Sequence, residues 1–309
     1  MTETVERNEA MRAITEHARR ITRGSYEEVN DLMQFADTTR NPPDIAELAE
    51  TFGMMSVKVE AREFAWKQTV EVLEQKKEEL QESLKIRGLS SRLVLWFVFG
   101  VSLYVFLTVF ALQTDQSDPV RVVLLRWFSS LFVISQIIMM VALILKSGYP
   151  LSDYGLTLKN LRRSLMESVL VSTAVILLLA GLKFWIQKEG WAFGGRPFIE
   201  EKEFGTMFLY LYVLNAPVQE FLARGVLQSS IGRILMGKRR MFWAVVSTSM
   251  IFGMLHTVYS LPVALITLLA SLLWGWLYIR HQTIVGVSIC HLLVGLAAIL
   301  LGYWDLLVM

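Results

Sequence analysis

An amide, a carboxylate, an arginine and two histidines lie inside segments that are otherwise apolar, and any chemistry this chain performs would start from them. Gln219, Glu220 and Arg224 fall in one apolar run, His256 closes a second, and His291 lies in a third. A charged side chain at the centre of a bilayer-spanning helix costs roughly 2.5–3.5 kcal/mol, so one that is kept is paired or functional. Glu220 and Arg224 are four apart with the acid first, the favourable order on a helix, so each can neutralise the other. The pair reads equally well as an ion pair locking adjacent helices. Of the four histidines in the chain, two sit in these runs. Each alone would serve as a hydrogen bonder between helices. Together, with a carboxylate from a third helix, they can activate a water and hold an oxyanion. His256, His291 and Glu220 would also make a conceivable zinc set, but no H-E-x-x-H or similar local ligand pair supports it, and neither metal nor cofactor is expected. Pro217 removes a backbone donor and frees the carbonyl of Val213. Such a gap is tolerated where polar groups or water fill it, so a hydrated pocket beside Gln219 is expected.

These residues need helices long enough to carry them through a membrane. The chain has 309 residues, 54% of them hydrophobic, and a mean hydropathy of +0.45, above an ordinary soluble domain. The apolar residues are concentrated. Residues 1–90 hold 13 Lys/Arg against 18 Asp/Glu, and the remainder holds 17 against 10. The chain therefore divides into a soluble helical region at 1–90 and a membrane region at 91–309, with the chemistry-bearing motifs within 217–295. Runs near the 20 residues a spanning helix needs occur at 93–112, 124–145, 165–186, 206–234, 241–258, 262–279 and 284–302. The fold class is thus all-α, a polytopic bundle of about seven spans, or eight if the run with Pro217 is two pieces. No signal peptide is expected, because the first long apolar run starts near Leu93.

Lys and Arg cluster in alternate connections: Lys85, Arg87 and Arg92; Lys146, Lys159, Arg162 and Arg163; Arg233, Lys238, Arg239 and Arg240; then Arg280. The positive-inside rule places these, and the N-terminus, in the cytoplasm. The basic, amphipathic stretch 151–163 is expected to lie along the headgroups. Cys290 rules out an internal disulfide and reads as a small buried residue. In the N-terminal region, helices are expected at 3–22, 26–38 and 57–87, with a turn at Asn41-Pro42-Pro43-Asp44. Val59, Trp66, Leu73 and Leu80 recur every seven residues, but the companion seam of Arg62, Thr69, Lys76 and Ser83 is polar. A homodimeric coiled coil through 57–87 and a single amphipathic helix both remain open. No basic stripe with interleaved aromatics appears, so nucleic acid is not an expected partner.

Three stretches together resemble a known family. Pro217-Val218-Gln219-Glu220-Phe221-Leu222-Ala223-Arg224-Gly225-Val226-Leu227 is similar to P-x-E-E-x-x-x-R-G-x-L, the first motif of the CPBP family of CAAX prenyl endopeptidases and bacteriocin-processing enzymes. Phe252 to His256 resembles the second motif, F-x-x-x-H. The stretch from Trp274 through Gly286 to His291 resembles the approach to the third, H-x-x-x-N or D. The resemblance covers roughly 150–302 and implies an integral protein of the bacterial inner membrane acting on a membrane-borne peptide or protein. It also implies that the first glutamate and the second-motif histidine activate a water, while the third-motif His and Asn hold the oxyanion. The matching positions are Gln219, Glu220, Arg224, His256, His291 and Gly295, and two depart from the pattern. Gln219 stands where the family has its glutamate; an amide can position a water but cannot take its proton. Glu220 points about 100° away on a helix and has Arg224 as partner. Gly295 stands where the family has Asn, and reads alternatively as a close-packing glycine with Gly286 and Gly302.

Two functions of different class follow. One is an intramembrane endopeptidase whose activity is impaired or absent because of Gln219. The other is a pseudoprotease, a membrane receptor or scaffold that binds a membrane-borne segment and signals through its cytoplasmic helices. A transporter is disfavoured, since neither an inverted repeat nor a second broken helix is visible.

Overall fold

The computed structural model describes residues 2–24, 32–113, 119–200 and 206–307. The described residues are helical throughout, joined by turns, with no strand among them. The chain falls into two compact units, Met1–Ser83 and Leu84–Met309.

In the first unit, α1 (Thr2–Thr22) buries Ala10, Ile14 and His17, a three-to-four-residue spacing that puts them on one helical stripe. α2 (Pro43–Gln113) starts at Pro43, the first helical position, where the missing N–H costs nothing. Ile14, Leu32 and Ala49 form a small core flanked by Phe35 and Phe52. Arg7 closes the surface with a 2.9 Å bond to Asp44. α2 is longer than the expected helix at 57–87, because no proline interrupts it after Pro43 and Gly53, Gly88 and Gly100 are carried within it. Trp66, Leu73 and Leu80 are 69%, 62% and 60% exposed, so nothing in this unit covers the heptad face. Residues 26–31 of the helix expected at 26–38 lie outside the described residues; the described part passes into a 3₁₀ turn at Gln34–Ala36, and residues 37 and 38 are not helical.

In the second unit, the seven predicted runs fall on helices. They are the end of α2, α3 (Pro119–Lys146), α4 (Leu161–Lys188), α5 (Thr206–Glu220) with its continuation, α7 (Arg240–Leu255), α8 (Leu261–His281) and α9 (Ile284–Leu300). Among the described residues, four helical stretches are long and apolar enough to cross a membrane: Pro43–Phe110, Leu161–Lys188, Arg240–Val258 and Leu261–His281. Ile134–Lys146 and Ile284–Leu300 are shorter apolar helices. Outward leucines such as Leu170, Leu177, Leu178 and Leu269 are highly exposed, the surface a lipid-facing bundle presents.

Small residues set the spacing of the bundle. Ser164, Ser168 and Ser172 recur every four residues along α4 and are buried. They face Gly286 of α9, where a Cβ would lie 2.7 Å from both the Ser164 carbonyl oxygen and Ser168 Oγ. Gly253 of α7 likewise lets the Ala264 carbonyl and Leu268 of α8 approach. Without a hydrophobic gain between helices in lipid, such close approach is what holds them together. Gly302 is not on this stripe: α9 ends at Leu300, and Gly302 forms a left-handed turn with φ 73° beside Glu200.

The stretch 151–163 is not one helix. Leu151–Tyr154 makes a 3₁₀ turn, Gly155 takes φ 80°, and α4 starts at Leu161 after Asn160 with φ 59°. Tyr154 is fully buried, while Leu158 is exposed. Gly155 is tied to α9 by a 3.0 Å bond from the Ile284 N–H to its carbonyl. Glu167 of α4 is bonded by Arg280 of α8 at 2.8 Å and 3.2 Å, with Arg163 and His281 also on the carboxylate.

Candidate active site

The run expected at 206–234 does not break at Pro217. It continues from α5 through a π-helix at Phe221–Gln228 into α6 (Ser229–Ile234). In the widened turn the N–H of Ser229 reaches the carbonyl of Arg224, five residues back. Pro217 already lacks the N–H that would hold Val213 in the ordinary ladder. Gly225 brings the π-segment against the Tyr154 carbonyl, where any Cβ would collide. Single-turn π distortions are rare and concentrate at functional sites.

This widened turn buries a charged cluster. Glu220 and Arg224 are both fully buried. Arg224 Nε donates to Glu220 Oε2 at 3.0 Å, and Arg224 Nη2 donates to Ser271 Oγ of α8 at 2.7 Å. The guanidinium also lies 5.6 Å from the centre of the Phe252 ring. The other carboxylate oxygen, Oε1, accepts from His291 Nδ1 of α9 at 2.8 Å. The π-helix, α8 and α9 are thereby joined through the Glu220–Arg224 pair. Below it, Gln228 Nε2 donates to the Gly275 carbonyl at 3.1 Å and ties the π-helix to α8.

The two histidines are held differently. His291 stacks on Trp274 with ring centres 4.0 Å apart and planes at 16°, and Phe252 meets it edge-on at 6.4 Å. His256 opens a 3₁₀ turn at the end of α7, its Nδ1 2.8 Å from the Phe252 carbonyl and its ring 4.9 Å from that of Phe252. A carbonyl only accepts, so His256 Nδ1 carries a proton and Nε2 is the nitrogen left for other partners. A carboxylate likewise takes the Nδ1 proton of His291, which leaves Nε2 as its outward nitrogen.

Of the sequence-derived residues, Glu220, Arg224 and His291 are brought into one hydrogen-bonded set, and His256 joins it through the shared Phe252 ring. Gln219 is not part of that set. It is partly exposed while its neighbour is buried, and it makes no hydrogen bond among the described residues. Gly295 carries no side chain, and an added Cβ would run into the hydroxyl of Tyr212. Sequence reasoning gave no role to Ser271, Trp274 or Tyr212. Spacing along one helix cannot show which residue of another it will face, although Trp274 lies in the stretch that carried the resemblance. Cys290 is buried and free, as expected. Among the described residues, no group of three His, Cys, Asp or Glu is placed to hold a metal ion.

Residues 202–297 match the family described as type II CAAX prenyl endopeptidase, Rce1-like, in agreement with the family that the three motifs resemble. No curated protein and no solved structure matches the chain.

Proposed function

We propose that this chain is an intramembrane endopeptidase of the CAAX-protease type whose hydrolytic rate is held down by Gln219. The observation that carries the reading is the buried set Glu220–Arg224–His291, assembled from the π-helix and α9 next to His256. Glu220 has both oxygens engaged, so it acts as the anchor of His291 and not as a base. His256, with Nδ1 committed to a backbone carbonyl, presents Nε2 to a water that the Gln219 amide can hold. In this scheme the water oxygen attacks the carbonyl carbon of a membrane-borne peptide and its proton passes to His256 Nε2. As the C–N bond breaks, that proton goes to the departing amine. His291 Nε2 faces the carbonyl oxygen, as a donor when its ring is protonated. With an amide at 219, His256 is left as the sole base on that water, and the help a carboxylate beside it would add, up to about 10²–10⁴ in rate, is forgone.

The same reading places the chain in a bacterial inner membrane with seven spans and residues 1–90 in the cytoplasm, as the Lys/Arg pattern supports. The exposed Trp66, Leu73 and Leu80 support pairing of two copies through 57–87. A second reading, a non-catalytic receptor for a membrane-borne segment, is favoured by Gln219 and Gly295, which leave out two polar groups of the family pattern. Gln219→Glu separates the two. The peptidase reading expects it to raise cleavage of a membrane-anchored reporter peptide; a folded variant with no gain leaves the receptor reading.

A further inference from the structure

Tyr212 stands outside every motif, yet its hydroxyl reaches the heart of the site. Seven residues separate it from Gln219 on α5, about 20° short of two full turns, so the two share one stripe of the helix. His291 and Gly295, four apart, share one stripe of α9. The Tyr212 phenol crosses from the first stripe to the second. Its ring meets His291 edge-on with centres 6.3 Å apart, and its hydroxyl donates to the His291 carbonyl oxygen at 3.5 Å, against the backbone of Gly295. Any side chain at 295 would occupy the place of that hydroxyl. A glycine inside a helix costs about 0.5–1 kcal/mol relative to alanine, so the bare position is kept at a loss and what it admits is the phenol oxygen.

We propose that the Tyr212 hydroxyl is the second hydrogen-bond donor of this site, turned toward the carbonyl oxygen of a bound peptide bond beside His291. A phenol keeps its proton at neutral pH and can turn about its C–O bond, so that proton can pass from the His291 carbonyl to a substrate oxygen as charge builds on it. The inference rests on the peptidase reading and deepens it: Tyr212 supplies from α5 what the bare Gly295 cannot supply from α9.

The test is steady-state cleavage of a membrane-anchored reporter peptide by Gln219→Glu and by Gln219→Glu combined with Tyr212→Phe, with the thermal midpoint of each. Removing one donor of an oxyanion site lowers kcat by about 10²–10³, and that loss is expected here with KM and the thermal midpoint little changed. A merely structural tyrosine would instead move the midpoint, or KM, and leave kcat intact. If Gln219→Glu is active and kcat survives the loss of the hydroxyl, this inference is overturned while the peptidase reading stands. If Gln219→Glu is itself inactive, the peptidase reading falls and the role of Tyr212 falls with it.

Discussion

Arg224→Met would leave Glu220 buried with His291 as its sole remaining hydrogen-bond partner. Methionine fills much of the arginine volume but offers no donor, so the 3.0 Å bond to Glu220 and the 2.7 Å bond to Ser271 both disappear. Both residues have no solvent exposure, so water cannot replace what is lost. Removing one partner of a buried pair costs about 3–5 kcal/mol, and the surviving His291 bond places the expected value near the lower end. Adding Glu220→Gln removes the stranded charge while keeping an acceptor for His291. The double variant is therefore expected to be more stable than Arg224→Met alone, with a coupling of about 2–3 kcal/mol between the sites. Reversible unfolding of the four proteins in one micelle or bilayer system closes the cycle. The reasoning would be refuted by a cost of less than about 1 kcal/mol for Arg224→Met, or by two effects that simply add.

Other outcomes follow from packing and exposure. Gly286→Ala is expected to destabilise the protein by about 1–3 kcal/mol, because its methyl would press on the Ser164 carbonyl and Ser168. Gly181→Ala, which meets nothing within 4 Å, is the control and should leave the thermal midpoint unchanged or slightly raised. Leu73→Cys is expected to form a disulfide between two chains under mild oxidation if the exposed heptad face pairs copies, with the buried Cys290 remaining unreactive. A chain that stays monomeric on a non-reducing gel would count against that pairing.

Much of the bundle is legible from composition and periodicity, and the reason is physical. Lipid leaves a spanning backbone little choice but helix, so an apolar run of the right length reveals its own conformation. The runs at 165–186 and 262–279 lie inside α4 and α8 for that reason. The Glu220–Arg224 pair is legible too, since i and i+4 neighbours depend on one helix alone. Nothing local announces the π-turn, because Pro217 is compatible with a kink or a break as well as with a widened turn. Nor does the sequence show that His291 binds the carboxylate of Glu220 and stacks on Trp274, since both contacts depend on how α9 and α8 cross the π-helix. Gly295 illustrates the limit best. Read along its own helix it is a missing side chain, and in three dimensions it is the space that Tyr212 fills. The turn at 151–155 is hidden for a similar reason: the basic, amphipathic composition of 151–163 suits a headgroup segment, but Tyr154 is drawn inward to Gly225.

The most direct measurement of the central claim is cleavage of a membrane-anchored reporter peptide by the natural chain, by Gln219→Glu, and by Gln219→Glu with His256→Ala. A carboxylate at 219 adds a second base beside His256, so a gain of up to about 10²–10⁴ in kcat is expected, and its loss when His256 is removed. A folded Gln219→Glu protein no more active than the natural chain, or one whose gain survives His256→Ala, would contradict the account.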